Sequence, residues 1–247
     1  MKLSRSVFYY CFKRPDDSAV ITYLDQLATK HPGYGFWKMF WVIRNSGEKW
    51  NHKRVWRIYC DMKLNIRRRR KRRLPVRDRV PLHSPDKPNT VWSMDFMCDS
   101  LMDGRRFRVL NVIDDFNREA LAMEVDTSLS SDRLVRVLDR ISDERGFPKT
   151  IRVDNGPEFV GSKLAYWCQI HQVHLQFIQP GKPTQNAFIE RFNGSFRAEL
   201  LDAFVFLSLK EVQHLTESWR SSYNYSRPHT ALKNLSPIQY ALNYSTF

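Results

Sequence analysis

Val91-Trp92-Ser93-Met94-Asp95-Phe96-Met97 is the stretch on which the fold turns. Read with the two-residue period of a strand, it puts Val91, Ser93, Asp95 and Met97 on one face and Trp92, Met94 and Phe96 on the other. A carboxylate among so many apolar neighbours is costly to bury in its ionised form, so Asp95 calls for a cation or a metal as partner. Downstream, residues 107–113 read as its hairpin partner and 120–125 as a third strand. A helix is expected over 132–145, with Leu134, Val137, Leu138 and Ile141 on one side and Gly146 as its stop signal. Ile151 and Val153 make a short fourth strand ending at Asp154; a helix over 159–172 then leads to a fifth strand over 173–178. A long helix follows over 185–203, and a last one runs from the capping box Ser208-Leu209-Lys210-Glu211 to about Tyr223. Three antiparallel strands followed by strand-helix-strand alternation specify an α/β fold, a mixed five-stranded sheet flanked by helices.

The residues ahead of this stretch differ in kind. Of a formal net charge of +14, residues 1–90 hold 22 Lys and Arg against 7 Asp and Glu, whereas residues 91–247 hold 18 against 19. All of the net positive charge therefore precedes Asp95, as expected of an electrostatic nucleic-acid grip attached to a nearly neutral chemical domain. Apolar residues at three- and four-residue spacings in 33–43 and 53–59 predict two short helices joined by Asn45-Ser46-Gly47-Glu48, with Asn51 capping the second. Lys53, Arg54 and Arg57 on that second helix make the pair a candidate helix-turn-helix, although a small bundle with a basic outer face satisfies the same pattern. Arg67, Arg68, Arg69, Arg70, Lys71, Arg72 and Arg73 then run without interruption, followed by Pro75, Pro81, Pro85 and Pro88. That segment reads as an extended linker whose cations contact DNA phosphates. The expected division is a helical DNA-binding region over 1–66, a linker over 67–90 and a catalytic core over 91–247.

Composition narrows the class further. A hydrophobic content of 42% is enough for an ordinary core, and no run approaches the eighteen apolar residues of a membrane span. The N-terminus lacks the apolar region of a secretory signal, and the four cysteines show no Cys-x-x-Cys spacing. A cytoplasmic protein with free thiols and no membrane partner is expected.

Two further acids join Asp95. Asp154, in Arg152-Val153-Asp154-Asn155-Gly156-Pro157-Glu158-Phe159, stands where a strand gives way to a turn, at the carboxyl end of the sheet where α/β proteins place their ligands. Glu190, in Pro183-Thr184-Gln185-Asn186-Ala187-Phe188-Ile189-Glu190-Arg191-Phe192-Asn193-Gly194, follows Asp154 after 35 intervening residues. On its helix Ile189, Phe192, Phe196, Leu200 and Ala203 form an apolar stripe, while Asn186, Glu190, Asn193 and Arg197 align along another. Three carboxylates from separate elements offer the hard oxygen ligands that suit Mg²⁺ or Mn²⁺. Asp114 and Asp115 read instead as turn acids, Asp99 and Asp103 as loop residues, and Glu158 as an acid at a helix start. Cys168, His171 and His174 lack the ligand pairs of a zinc site.

With these motifs in place the chain resembles the D,D(35)E integrase core, most closely the second-frame (OrfB) product of frameshifting insertion-sequence transposases. The likeness also covers Ser4-Arg5-Ser6 with Tyr9-Tyr10, His31-Pro32-Gly33-Tyr34-Gly35, Asn51-His52-Lys53-Arg54-Val55 and the tail Tyr223-Asn224-Tyr225-Ser226-Arg227-Pro228-His229-Thr230-Ala231-Leu232. Lys233-Asn234 departs from it where a glycine is usual. The resemblance implies a retroviral-integrase-like, RNase H-type core behind a helix-turn-helix-like domain. It implies that Asp95, Asp154 and Glu190 hold two Mg²⁺ or Mn²⁺ ions, which act in cutting transposon ends and in transferring the 3′-hydroxyl strand to target DNA. It also implies double-stranded DNA as partner, a homo-oligomer on that DNA, and an upstream-frame product joined by fusion. Lys182 and Arg197, close to the acids in sequence, are candidate contacts to end DNA. Two rivals remain open to the sequence: a DNA-binding regulator or inactive remnant that occupies transposon ends, and an RNase H-like nuclease without strand transfer.

Overall fold

The strand that carries Asp95, β1 (Val91–Ser100), is the middle strand of a five-stranded sheet. In the computed structural model, which describes residues 4–9, 16–66, 82, 84–179 and 183–245, the strand order is β3-β2-β1-β4-β5. β2 (Arg106–Asp114) pairs antiparallel with β1 and with β3 (Ala120–Asp126). β4 (Thr150–Val153) joins the other side of β1 in parallel, and β5 (His174–Phe177) continues in parallel beyond it. The mixed sheet expected from the strand pattern is thus the sheet observed.

Its two faces are covered by different helices. Trp92, Met94, Leu110, Val112, Ile151 and Val153 point into one core with Leu134, Val137, Leu138 and Ile141 of α5 (Ser131–Arg145) and Leu164 and Trp167 of α6 (Ser162–Ile170). Met97, Phe107, Val109 and Val125 face the other way, packing with Phe196, Leu200 and Leu201 and with Val212 of α8 (Leu209–Tyr225). The expected alternation of β1 therefore holds: Trp92 and Met94 serve one core, Met97 the other.

The helices differ from expectation in three places. α6 begins at Ser162 because residues 154–161 form turns around Gly156 and Pro157. The long helix expected over 185–203 is instead a 3-10 turn (Pro183–Asn186), α7 (Ala187–Phe196) and a π-helical turn (Arg197–Leu201). A π turn adds a residue to the repeat, and here Phe196, Leu200 and Leu201 are all buried together. Finally α9 (Pro237–Ser245) was not anticipated, although its start is a capping box: Gln239 N–H donates to Ser236 Oγ (3.3 Å) and Ser236 N–H to Gln239 Oε1 (3.0 Å).

The chain separates into two compact units, Met1–Arg69 and Arg70–Phe247. The first contains α1 (Arg5–Phe8), α2 (Ser18–Lys30), α3 (Phe36–Asn45) and α4 (His52–Asp61). Val20, Leu24 and Leu27 meet Phe36, Met39, Phe40 and Ile43, and Val55, Ile58 and Tyr59 close the core. Asn51 caps α4 as its sequence predicts, its Oδ1 accepting from Lys53 N–H at 2.9 Å. Gly47, with φ of 102°, supplies the left-handed turn after α3 that a side chain would strain.

Candidate active site

Strand register brings the two aspartates together. Ser93 lies opposite Arg152 in the parallel β1–β4 pair, and continuing that register by two residues sets Asp95 level with Asp154 just beyond the end of β4. Asp95 is half-buried; its Oδ1 accepts from Phe96 N–H at 2.8 Å and its Oδ2 from Asn193 Nδ2 at 2.7 Å. Asn193 lies one helical turn after Glu190 on α7, and its own Oδ1 accepts from Asn111 Nδ2 at 2.7 Å. Asn111 is opposite Asp95 on β2. A buried amide pair therefore ties α7 to the two central strands and holds one oxygen of Asp95.

Asp154 begins a tight turn, its Oδ1 accepting from Gly156 N–H at 3.0 Å. A Cβ at position 156 would stand 3.0 Å from that same oxygen and 3.1 Å from Glu158 Oε2, so only glycine fits without displacing an acid. Glu158 is not at a helix start; it lies in the turn ahead of α6 and pairs with Arg108 at 2.7 Å. Glu190 is exposed on α7.

The electrostatics link the three acids. Burial pushes Asp95 up to about 6, opposed by the Phe96 N–H and assisted by the negative charges of Asp154 and Glu190. Glu190 is itself raised by burial. As arranged, however, no three His, Cys, Asp or Glu side chains among the described residues converge into a ready-made metal cage. The donor set nevertheless fits a hard divalent cation: it is all carboxylate oxygen, and its mutual repulsion falls when a cation lies between.

Below this cluster, on the same sheet face, sequence reading missed an ion pair. Asp115 is fully buried and its Oδ2 accepts from Arg152 Nη1 at 2.7 Å; burial outweighs Ser93, Arg152 and Arg118 and lifts Asp115 to about 6. Asp115 does lie in the turn after β2, as expected, but it is buried and paired there, while Asp114, the last residue of β2, serves the turn by accepting from Phe116 N–H at 2.8 Å. The signal was Arg152 itself, a cation between Ile151 and Val153 in a strand with both of these in the core. Asp99 lies on β1, not in a loop.

The candidate DNA contacts fall into three groups. Arg67, Arg68, Arg69, Arg70, Lys71, Arg72, Arg73 and Lys182 lie outside the described residues. Lys53 is exposed at the start of α4, while Arg54 and Arg57 reach Asp17 at 2.8 and 2.6 Å and fasten α4 to the start of α2. Arg197 lies against β1, its Nη2 donating to Cys98 O at 3.0 Å and its Nη1 lying 3.4 Å from Asp99 Oδ2.

Comparison with known proteins places this arrangement. Residues 85–183 and 171–237 match the Integrase core domain, the first span containing Asp95 and Asp154 and the second Glu190; residues 15–72 match an HTH-like domain. The 31.7 kDa protein of insertion element IS407 from Burkholderia multivorans is 42% identical over 98% of this chain and 88% of its own length. The transposase for insertion sequence element IS904 from Lactococcus lactis is 28% identical over 84% of this chain and 87% of its own. Among solved structures, a chain of the simian T-cell lymphotropic virus intasome superposes with a TM-score of 0.56 at 16% identity, over 78% of this chain and 67% of that one. Shared fold, an HTH-like domain ahead of an integrase core, and close identity along nearly its whole length together show that this chain belongs to the insertion-sequence transposase family.

Proposed function

We propose that the chain cuts DNA at the ends of its element and joins the freed 3′-hydroxyl to target DNA, with Asp95, Asp154 and Glu190 as the catalytic acids. The observation that carries this is the register of two adjacent parallel strands, which sets Asp95 in the middle of β1 level with Asp154 just past the end of β4, with α7 and its Glu190 fastened to Asp95 through Asn193. In the first step a water oxygen attacks phosphorus in line, the P–O3′ bond breaks, and the 3′-oxygen leaves as a hydroxyl. In the second that hydroxyl attacks a target phosphodiester, so one P–O bond forms as another breaks. Asp95, Asp154 and Glu190 would hold two Mg²⁺ or Mn²⁺ ions, which when bound would supply activation of the attacking oxygen and relief of charge on the departing one. The chain's own part is to hold the acids: the Asn111–Asn193 pair orients Asp95, and the Gly156 turn orients Asp154. No protein nucleophile is required.

In this reading residues 1–66 grip duplex DNA, 67–90 form a phosphate-tracking linker and 91–247 carry the chemistry. Lys53, the arginine run, Lys182 and Arg197 are the proposed DNA contacts, and the working form is an oligomer on DNA, in the cytoplasm, in which the chain is fused to the upstream-frame product. No described helix is long and apolar enough to cross a membrane.

Asp95→Asn, Asp154→Asn and Glu190→Gln are each expected to abolish cleavage and joining while DNA affinity stays within about twofold, because an amide keeps the size of the side chain but loses the charge that holds a hard cation. The assay supplies an end-sequence duplex, a target duplex and Mg²⁺, and scores cut and joined products separately. Activity in a variant removes that residue from the site. Cutting without joining by the intact protein would make it a nuclease, and binding with neither would make it a regulator.

A further inference from the structure

Where α3 and α4 begin, Phe36, Trp37, His52, Lys53 and Trp56 line a hollow of about 320 Å³. Gly35 leads into α3 and Asn51 caps α4, so the first turns of the two helices supply four of these five residues. Trp37 is 57% and Trp56 44% exposed, although Phe36, Met39, Phe40, Val55, Ile58 and Tyr59 of the same two helices are buried. The walls offer ring faces: Phe36 is set edge-on to Trp56 with centroids 4.7 Å apart, and Trp37 and His52 lie within 26° of parallel. No acid lines the hollow. Among the described residues no acid pairs with Lys53, whereas Arg54 and Arg57 on the same helix are committed to Asp17.

We propose that this hollow receives a single unpaired nucleobase of DNA, stacked on Trp37 and Trp56, with Lys53 on the adjoining phosphate. Exposed indoles beside a cation match the two parts of a nucleotide, since every base has a π face and every base adjoins an anion. Concavity selects against a paired base. Within a duplex both faces of a base are covered by its neighbours and only its edge reaches the groove. A base outside the stack projects and can enter. The strongly basic composition of residues 1–90 favours a nucleic acid over an apolar protein segment as occupant. This inference rests on the reading that the chain acts on DNA, and it is independent of the acidic triad.

The test uses the full 247-residue chain with EDTA present, so that no cleavage intrudes. Affinity is measured for a labelled duplex with one unpaired thymine and for the same duplex fully paired. The intact chain should prefer the first. Trp37→Ala and Trp56→Ala should each weaken binding of the bulged duplex by roughly tenfold, as expected for loss of one stacking platform, and change the paired duplex less than about twofold. Trp37→Phe, which keeps a ring face, should retain most of the preference. As a check that needs no variant, 5-bromouracil at the bulge should photocrosslink to Trp37 or Trp56 of the intact chain. Equal binding of both duplexes by the intact chain, equal weakening of both by the substitutions, or crosslinks confined to other residues would each overturn the inference while leaving the triad reading standing. Failure of the intact chain to bind either duplex would overturn this inference together with the reading that residues 1–66 grip DNA, while the triad is tested separately by the cleavage assay.

Discussion

Asn193 shows how much of this site rests on uncharged side chains. It donates to Asp95 and accepts from Asn111, both at 2.7 Å, and both amides are buried. Leucine has the same number of side-chain heavy atoms and the same branching but is bulkier, so Asn193→Leu is checked for folding by circular dichroism; it leaves one oxygen of Asp95 without its donor and Asn111 without its acceptor. Because outer partners of metal ligands typically contribute 10–100-fold, we expect Mn²⁺ affinity to fall by roughly tenfold or more. An electron paramagnetic resonance titration of free Mn²⁺ reads this without any DNA, and an affinity equal to that of the intact chain would reduce Asn193 to a packing residue. Glu190 differs in kind, being an exposed helix side chain whose position depends on what α7 packs against.

Among the elements, β2 and β4 flank β1, and the Arg152–Asp115 pair spans them on the face that carries the aspartates. Removing one partner of such a pair leaves a buried charge, at a cost of about 3–5 kcal/mol, whereas replacing both with apolar residues can be nearly neutral. Urea denaturation of Asp115→Leu, Arg152→Met and the variant Asp115→Leu/Arg152→Met should therefore show two large losses and a clearly smaller one for the double change. If the double loss equals the sum of the single ones, the pair is not coupled. The linker makes a different prediction. Alanine at all of residues 67–73 should weaken binding to every DNA sequence alike and flatten the slope of log affinity against log salt, since a dense run of cations meets phosphates rather than base edges. An unchanged slope would leave the run a spacer.

For the molecule as a whole, a helical HTH-like unit with a basic N-terminal segment and an integrase-core unit are present in one chain. If, as proposed, the working form is fused to the upstream-frame product, pairing of two element ends should depend on that product. At the same salt, the frameshift fusion is expected to bind and cut an end-sequence duplex well and the 247-residue chain poorly. Equal pairing and cutting of two ends by the chain alone would show that its N-terminal region suffices.

Much of this was legible in the sequence for a local reason. Strand alternation around Asp95, the helix stop at Gly146, the caps at Asn51 and Ser208 and the division of charge depend on neighbours within a few residues, and so they survive being read in one dimension. The capping box at the start of α9, Ser236 with Gln239, is equally local. What the sequence could not show depends on register and burial between distant segments. The interior place of Asp115, the pairing of Arg152 with it and the bond from Asn193 to Asp95 join residues 37 and 98 positions apart. The hollow between Trp37 and Trp56 likewise exists only once α3 and α4 pack, because a lone amphipathic helix does not reveal which of its aromatics the core leaves outside.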